Sequence, residues 1–419
     1  MTDPQNASLS ENLPDTDICI VGAGMVGSAV ACGLANLGYR VTVIDQAAPP
    51  AYAPQSPPDI RVSALSYASE CFLKDIGAWK HTQAMRSCPY RQLAVWEKLA
   101  SPLSGAPLQS RLNKTQFDAQ QVKLPYLGHI VENNVTQLAL HQTMATKSSL
   151  QTVFGRRVKL LRVDNEYAVL TLDNGQCVRA RLVVGADGAQ SRVRELACIG
   201  LNSDQYEQQA MVITVSHASP QQEITWQAFT STGPLAYLPL PAVDGQNYGS
   251  LVWYNLPENI NKLMQLDDQS LMASIHKEFP SELPALQSIV SKGRFPLVKR
   301  HAQQYTTERV VLVGDAAHTI NPLAGQGVNL GFKDAAALIA QLSLARASSE
   351  DPGKLSLLKK YEAMRRPANS QMMLLMDMFY HTFSNDIAPL KAVRNLGLHF
   401  ANHAPWAKTK VLKYAIGLN

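Results

Sequence analysis

The fold of this chain is decided by residues 17–45, DICIVGAGMVGSAVACGLANLGYRVTVID. Residues 17–21 are typical of a short buried strand, 25–37 of a helix of small and apolar residues, and 40–44 of a second strand. Two strands joined by a helix form a βαβ unit, the seed of a parallel, doubly wound sheet. The 22 uncharged positions 18–39 are long enough to span a membrane, but the regular glycines favour this buried strand, turn and helix.

The turn between strand and helix carries Gly22, Gly24 and Gly27. Glycine is needed there because the turn is tight, the backbone must approach a pyrophosphate, and the helix must pack closely on the strand. The helix N-terminus then offers free N–H groups to the phosphates. Asp45 ends the next strand, where an acidic side chain accepts hydrogen bonds from an adenosine ribose. The stretch therefore predicts a dinucleotide site.

The composition is that of an ordinary enzyme. The chain has 419 residues, of which 46% are hydrophobic and 17% charged, so two globular units are expected and disordered or collagenous classes are excluded. The six cysteines have no metal-ligand spacing, which predicts free thiols and no metal site. No basic residue precedes Arg40, so neither a signal nor a transit peptide is predicted. Cytoplasmic residence is the expectation.

The net charge of +5 is concentrated at one end of the chain. Residues 387–419 contain five basic residues and no acidic one: Lys391, Arg394, Lys408, Lys410 and Lys413. The remaining 33 basic residues equal the 33 acidic ones. A nucleic-acid-binding protein would usually spread its basic residues over a broad face, so no nucleic-acid partner is expected.

Two later motifs also follow predicted strands. In residues 184–194, Asp187 stands in a turn, with basic residues behind it. Residues 313–331 join Asp315, at a strand end, to the glycine-rich loop that opens a helix. Such a loop can offer backbone N–H groups to an electron-rich ring edge, while the aspartate meets a polyol chain. We interpret His318 as a packed or capping histidine, since no second histidine or carboxylate beside it suggests a triad or metal site.

Between these motifs the hydrophobic period shifts toward two. Several segments between about 150 and 255 alternate in this way, which predicts antiparallel strands with one covered face. Five aromatic residues of these strands are candidates to line an apolar pocket: Trp226, Phe229, Tyr237, Trp253 and Tyr254. Most such residues are core, and we expect one or two to touch a ligand.

Taken together, the three motifs resemble the flavoprotein aromatic hydroxylases of the p-hydroxybenzoate hydroxylase fold, over nearly the whole chain. Residues 59–65 (DIRVSAL), 130–137 (IVENNVTQ) and 314–331 (GDAAHTINPLAGQGVNLG) resemble the ubiquinone-pathway hydroxylases within that group. Residues 85–97, 294–305 and 378–398 resemble the bacterial members that hydroxylate demethoxyubiquinol. A longer polar N-terminus and residues 101–121 depart from the pattern but touch no motif.

The resemblance implies an α/β fold, in which a Rossmann-like FAD-binding domain with a parallel sheet is interrupted by a mostly antiparallel substrate domain and followed by C-terminal helices. We predict a disordered tail at 1–16, the FAD-binding domain at 17–85, 125–200 and 295–350, the substrate domain at 86–124 and 201–294, and a helical region with a basic tail at 351–419.

The resemblance also implies the cofactor-binding residues. Besides Gly22, Gly24, Gly27 and Asp45, it places Arg61 and Gln137 near the phosphates or ribityl chain and Asp315 on the ribityl and pyrophosphate region. Asp187 matches a motif that contacts flavin and pyridine nucleotide. The loop at the flavin's pyrimidine edge matches Gly325, Gly327, Val328 and Asn329, with Pro322 near the reacting face.

The reaction implied is hydroxylation of a polyprenylated methoxy-methyl benzoquinol, demethoxyubiquinol, in ubiquinone biosynthesis. FAD would be reduced by NAD(P)H or another reductant and would activate O₂ as a C4a-hydroperoxide. No catalytic acid or base is assigned, because the two ring hydroxyls already activate the substrate. Two alternatives stay open: a sister hydroxylase acting at another ring carbon, and a flavin-free scaffold of the biosynthetic complex.

The basic tail has two readings of equal weight. From Pro405 onward, basic residues alternate with apolar ones, which is typical of an amphipathic helix on an anionic membrane surface. Residues 391–419 would then hold the enzyme at the inner face of the cytoplasmic membrane, near its prenylated substrate. The alternative is a terminal helix packed on the body, or a docking surface for other ubiquinone-biosynthesis proteins.

Overall fold

The computed structural model describes residues 13–49, 51–98, 114–320, 327–383 and 405–418. Of the features predicted above, Pro322, Gly325, Lys391 and Arg394 lie outside these residues, as do residues 1–12 of the tail and most of the departure at 101–121. The described residues form a mixed α/β structure, which confirms the predicted fold class.

The strands are numbered in chain order and range from two to 17 residues in length. They are β1 (Thr16–Val21), β2 (Val41–Asp45), β3 (Val62–Ser66), β4 (Cys88–Tyr90), β5 (Gln92–Glu97), β6 (Thr115–Asp118), β7 (Gly128–Glu132), β8 (Leu150–Phe154), β9 (Val158–Val163), β10 (Ala168–Leu172), β11 (Cys177–Gly185), β12 (Leu201–His217), β13 (Ile224–Thr230), β14 (Gly233–Val243), β15 (Gln246–Asn255), β16 (Leu286–Ala302), β17 (Thr306–Thr307), β18 (Val310–Leu312) and β19 (His318–Thr319).

The helices pack between and around the sheets. They are α1 (Met25–Asn36), α2 (Tyr67–Asp75), α3 (Trp79–Met85), α4 (Asn133–Ala145), α5 (Arg192–Leu196), α6 (Pro257–Gln265), α7 (Asp268–Glu278), α8 (Gly327–Ala347), α9 (Leu355–Phe383) and α10 (Pro405–Ala415). Short 3₁₀ turns occupy Ala119–Val122 and Gly314–Ala316. None of the described helices is both long and apolar enough to cross a membrane.

The first sheet contains the predicted βαβ unit. Six of its strands run in the order β17, β18, β11, β1, β2, β8, while β10 pairs with β11 and with β9. Strand β1 pairs in parallel with both β2 and β11. Because β1, β11 and β18 are parallel neighbours, their carboxyl ends meet at one edge of the sheet. Each is followed by one of the three sequence motifs, so the sheet topology alone brings the motifs together.

The second sheet is the predicted antiparallel one, in the order β19, β16, β12, β15, β14, β13, β5, β6. Among the described strands of this sheet, only the β5–β13 pair is parallel. Helices α6 and α7 cover one face, where Trp253 packs edge-on against Phe279 in a cluster with Ile260 and Ile275. A small third sheet, β3, β7, β4, lies against the other face.

Two of the predicted domain boundaries fall inside continuous strands. Thr16 belongs to β1 rather than to a disordered tail, because it pairs with Ala180 of β11, and the Leu13 amide donates to the Cys177 carbonyl (3.1 Å). Strand β16 runs through position 294, where we predicted the substrate domain to end, and pairs with β12 on both sides of it. The wider division into domains stays a prediction.

A buried carboxylate joins α8 and α9 to the strand-end turn that carries Asp315. The two oxygens of Asp334 accept from Arg365 Nε (2.8 Å) and from the Gly314 amide (3.1 Å), and His318 Nε2 lies 2.5 Å away. Asn369 Nδ2 adds a further bond of 3.1 Å. Burial alone would raise the pKa of Asp334, but its interactions with His318 and Arg365 lower it.

We predict that Asp334→Ala destabilises the protein by about 3–5 kcal/mol, because it leaves a buried arginine without its counter-charge. Urea denaturation measures the change. The control is Glu350→Ala, which removes the exposed ion pair with Lys354 and should cost under about 1 kcal/mol. Equal stability losses in the two variants would contradict this account of the Asp334 network.

Candidate functional site

The glycine turn after β1 is shaped by backbone contacts that no side chain would permit. A Cβ on Gly22 would lie 2.3 Å from the Ala186 carbonyl oxygen, and Gly22 has a φ of +105°. A Cβ on Gly27 would lie 2.0 Å from the Gly22 oxygen. At Gly24 a Cβ would meet nothing within 4 Å, so the start of α1 faces open space. No side chain caps this helix, which leaves its positive end to a ligand.

Asp45 and Gln137 both reach this turn. The Ala23 amide donates to Asp45 Oδ2 (2.6 Å), and Gln137 Nε2 donates to the Ala23 carbonyl (2.9 Å). His141, which the sequence analysis did not single out, places Nε2 2.8 Å from the same carbonyl, and burial lowers its pKa. His141 lies four residues after Gln137 and therefore on the same face of α4, and this spacing is the sequence pattern that could have identified it.

Asp187 is engaged within its own turn. Its carboxylate accepts from the Ser191 hydroxyl and from the amides of Arg192 (2.7 Å) and Val193 (3.0 Å), at the start of α5. Burial raises the pKa of Asp187, although these hydrogen bonds oppose the shift. The structure thus gives this side chain a helix-capping role, while the neighbouring Ala186 backbone lies against Gly22.

Asp315 stands beside the glycine turn. Its side chain is exposed on one side, yet crowding by protein on the others raises the pKa of its carboxyl, against the charges of His318, Arg61 and Arg300. Val26 of α1 fills the space left by Gly314, where a Cβ would lie 3.2 Å from it. The first and third motifs are therefore in contact, and Arg61 lies near enough for its charge to act on Asp315.

The N-terminus of α8 presents Gly327 and Val328. The first N–H groups of a helix have no intrahelical acceptor, so this end suits an electron-rich ring edge. The side chain of Asn329 is used within the protein: it accepts from the Ser66 amide (3.0 Å) and the Ser69 hydroxyl (2.7 Å) and donates to the Ala64 carbonyl (2.8 Å). These three bonds fix the Asn329 side chain between β3 and α2.

His318 is packed, as we interpreted it from the sequence. It is 2% exposed and its partner is Asp334 of α8. That carboxylate is 16 residues away along the chain, so no local sequence pattern places it beside the histidine. Among the described residues, no cluster of three His, Cys, Asp or Glu is placed to hold a metal ion.

The second sheet has two distinct faces. Trp226, Tyr237 and Trp253 belong to the outer face, where they pack beneath α6 and α7. They are core residues and do not face the flavin motifs. Phe229 and Tyr254 alternate with them and point to the opposite, inner face, which packs on the third sheet and on α9. Strand periodicity could not have decided which face was which.

A cavity of about 520 Å³ opens on the outer side of this sheet. Lys98, Lys262 and Lys277 are among its lining residues, with Trp253 at its floor. The sheet itself separates this cavity from the three motifs. It is therefore not the place where a ring would meet the flavin.

The residues present fit FAD. The uncapped start of α1, the open space at Gly24 and the two close backbone approaches at Gly22 and Gly27 make a cradle for a pyrophosphate. Asp45 lies at the end of β2 beside this cradle, and Asp315 follows Gly314, which lies against Val26 of α1. The assignment of individual residues to the cofactor remains a proposal.

Comparison with known proteins agrees with this arrangement. The 3-demethoxyubiquinol 3-hydroxylase of Escherichia coli is 45% identical over 404 residues, covering 96% of this chain and 99% of that protein. The ubiquinone hydroxylase UbiL of Rhodospirillum rubrum is 35% identical, covering 96% of this chain and 89% of its own. The crystal structure of p-nitrophenol 4-monooxygenase PnpA from Pseudomonas putida shares the fold, with a TM-score of 0.73 at 16% identity and coverage of 96% and 97%.

A family model described as FAD binding domain matches residues 15–375, which is most of the chain. The resemblance drawn from the three motifs is confirmed. With its glycine turn, its two strand-end aspartates and this match, the chain belongs to the FAD-binding-domain family, among the flavoprotein hydroxylases.

Proposed function

We propose that this FAD-dependent monooxygenase hydroxylates a polyprenylated methoxy-methyl benzoquinol, demethoxyubiquinol, in ubiquinone biosynthesis. The observation that carries the proposal is the convergence of three flavin motifs at one sheet edge, in a chain 45% identical to a 3-demethoxyubiquinol 3-hydroxylase along nearly its full length. The relative at 35% identity is described more broadly as a ubiquinone hydroxylase, so the sister reaction at another ring carbon is the second candidate.

The role of the chain's own residues is to bind and orient the cofactor. The backbone at Gly22, Gly24 and Gly27 would hold the FAD pyrophosphate at the positive end of α1, with Asp45 on the ribose. Asp315 would hold the ribityl chain, and the start of α8 the pyrimidine edge. When bound and reduced, FAD supplies oxygen activation, which no side chain can provide.

The inner face of the second sheet would hold the ring of the substrate. Its residues exclude water and fix the ring against the cofactor, which sets the carbon that reacts. We assign no proton transfer to a side chain, because the quinol hydroxyls already supply electron density to the ring. NAD(P)H is the reductant that we propose.

Removing the ribose contact tests the cofactor assignment. We predict that Asp45→Ala raises the Kd for FAD by about 10- to 100-fold, because a charged hydrogen-bond acceptor is lost. Titration of the apoprotein, followed by flavin fluorescence, measures it. Asp173→Ala, an exposed aspartate in the turn before β11, is the matched control and should bind FAD like wild type. An unchanged Kd in the Asp45 variant would remove this residue from the site.

Mass spectrometry of quinone intermediates tests the reaction. We predict that a strain without the gene accumulates demethoxyubiquinone, that the wild-type copy restores ubiquinone, and that an Asp315→Ala copy restores less than about a tenth of it. Accumulation of a different precursor would assign the enzyme to the sister reaction. Purified protein that shows no flavin spectrum after reconstitution with FAD would revive the scaffold alternative. NADH and NADPH are compared as reductants in the same preparation.

The described part of the basic tail is a helix that packs on the body. Leu412 and Ile416 are buried against Phe117 and Leu127, and the Ala68 amide donates to the Ile416 carbonyl (3.2 Å). Val411 remains 57% exposed. The apolar side of this amphipathic helix is therefore largely used within the protein.

We propose that the outer side of α10 rests on an anionic membrane surface, with the enzyme at the inner face of the cytoplasmic membrane. Lys410, Lys413, Val411 and Tyr414 are all exposed on it, which supports weak attraction rather than insertion. A prenylated substrate dissolved in the bilayer would be reached from there. Docking to other biosynthetic proteins through the same side is the competing reading.

Charge reversal is a sharper test than truncation, because truncation would also remove the packed side chains of Leu412 and Ile416. We predict that Lys410→Glu with Lys413→Glu lowers binding to vesicles containing anionic lipid by about 10-fold or more, at roughly 1 kcal/mol for each basic residue lost. Liposome flotation measures it. Lys262→Glu with Lys277→Glu on α6 and α7 is the charge-matched control. Equal flotation of both variants would exclude α10 as the contact.

A further inference from the structure

Three buried hydroxyls on the inner face of the second sheet have no hydrogen-bond partner. They belong to Ser250 on β15, Thr214 on β12 and Ser291 on β16, and no donor or acceptor in the described part of the chain reaches them. Thr214 lies directly opposite Ser250 on one side and Ser291 on the other. The three side chains therefore form one line across adjacent strands, which we call the hydroxyl row.

A row of this kind is costly unless something satisfies it. Thr214 and Ser250 are 0% and 1% exposed. A buried hydroxyl that stays unpaired loses its hydrogen bonds to water with nothing in return, and native proteins pair nearly all such groups. Adjacent strands lie about 4.8 Å apart, so the row extends over about 10 Å. That spacing lets one ring meet two neighbouring hydroxyls.

The next line of residues along the same strands is apolar and partly exposed. It consists of Ala236, Val252, Val212 and Gly293, which we call the apolar strip. At Gly293 a Cβ would lie 3.0 Å from Ile60 Cδ1, in the segment that leads into Arg61. The strip therefore faces the part of the protein that carries the flavin motifs.

Both ends of the inner face are already filled. On one side Leu240 and Tyr248 pack with Ala64 and Ile130 of the third sheet. On the other side Ala210, Tyr254 and Leu297 form a cluster against α9. The hydroxyl row and the apolar strip occupy the stretch between these two clusters.

We infer that the hydroxyl row and the apolar strip bind the oxygen-bearing ring of the substrate, with the ring on the strip and its oxygens hydrogen-bonded to Ser250, Thr214 and Ser291. The inference rests on the proposed function and names the residues that determine its specificity. They are binding residues and transfer no proton in this assignment.

The chemistry of the two lines matches such a ring. A serine or threonine hydroxyl both donates and accepts, so it can serve a phenolic hydroxyl, which needs both, and a methoxy oxygen, which only accepts. One χ1 rotation turns a serine hydroxyl along the sheet toward the strip. A site built to hydrogen-bond oxygens rejects a ring that lacks them, because its own polar groups then stay unpaired.

Three single substitutions test the inference in the FAD-loaded enzyme: Thr214→Val, Ser250→Ala and Ser291→Ala. Binding of a demethoxyubiquinol with a short prenyl chain is followed by the change in flavin absorbance. We expect at least two of the three to raise its Kd by about 3- to 10-fold, the value of a lost hydrogen bond. Thermal stability without the quinol should stay unchanged or rise, because the deleted hydroxyls are unpaired.

Ser216→Ala is the matched control. Ser216 lies on the same strand and face as Thr214, but its hydroxyl pairs with that of Ser288 at 2.7 Å. Its loss should lower thermal stability and leave the Kd for the quinol unchanged. A second control is the ligand: a prenylated toluene with the same chain has no oxygen, so wild type and the three variants should bind it alike.

The outcomes separate this inference from the proposed function. If the enzyme hydroxylates demethoxyubiquinol and fewer than two of the three variants bind it more weakly than wild type, the hydroxyl row is overturned and the function stands. If the variants weaken the quinol and the toluene equally, hydrogen bonding to the ring oxygens is likewise overturned. If the product is hydroxylated at another carbon while the variants weaken quinol binding selectively, the row stands and the proposed ring position falls.

Discussion

The rest of the structure depends on how closely α1 approaches the ends of its neighbouring strands. Gly27 sits against the oxygen of Gly22, and Gly22 against the backbone of Ala186, at separations that leave no room for a Cβ. This contact sets the angle of α1 and opens its N-terminus to a phosphate. Val26, in the first turn of α1, packs into the space beside Gly314 and Gly331. This contact holds the third motif against the first.

The buried carboxylate of Asp334 also stabilises this arrangement. It binds the turn that carries Asp315 through Gly314 and His318, and it binds α9 through Arg365 and Asn369. The turn that presents Asp315 is thus fixed by residues far along the chain. Any movement of the turn that broke one of these bonds would leave a buried charge unpaired. Because that is costly, the network holds the turn in one conformation.

The inner face of the second sheet shows a different use of burial. Its two ends pack on the third sheet and on α9, whereas its middle keeps hydroxyls unpaired beside an apolar strip. Folding alone gives no reason for unpaired hydroxyls, since alanine or valine would fill the same positions at lower cost. Their position beside the strip that meets Ile60 is what makes them candidates for substrate contact, while Trp226, Tyr237 and Trp253 of the outer face serve the core.

The sequence by itself determined the fold class and the sheet edge at which the three motifs meet. The glycine spacing, the strand on either side of α1 and the aspartates at strand ends are local patterns, and parallel topology carries each of them to one sheet edge. Only the tertiary structure decided which faces and partners these elements have. It placed Trp226, Tyr237 and Trp253 under α6 and α7, gave the Asn329 side chain to β3 and α2, and buried Leu412 and Ile416 of the basic tail. The side chains of a strand alternate between two faces, and an amphipathic helix has one apolar stripe. Which face or stripe is covered depends on elements that lie far away in sequence.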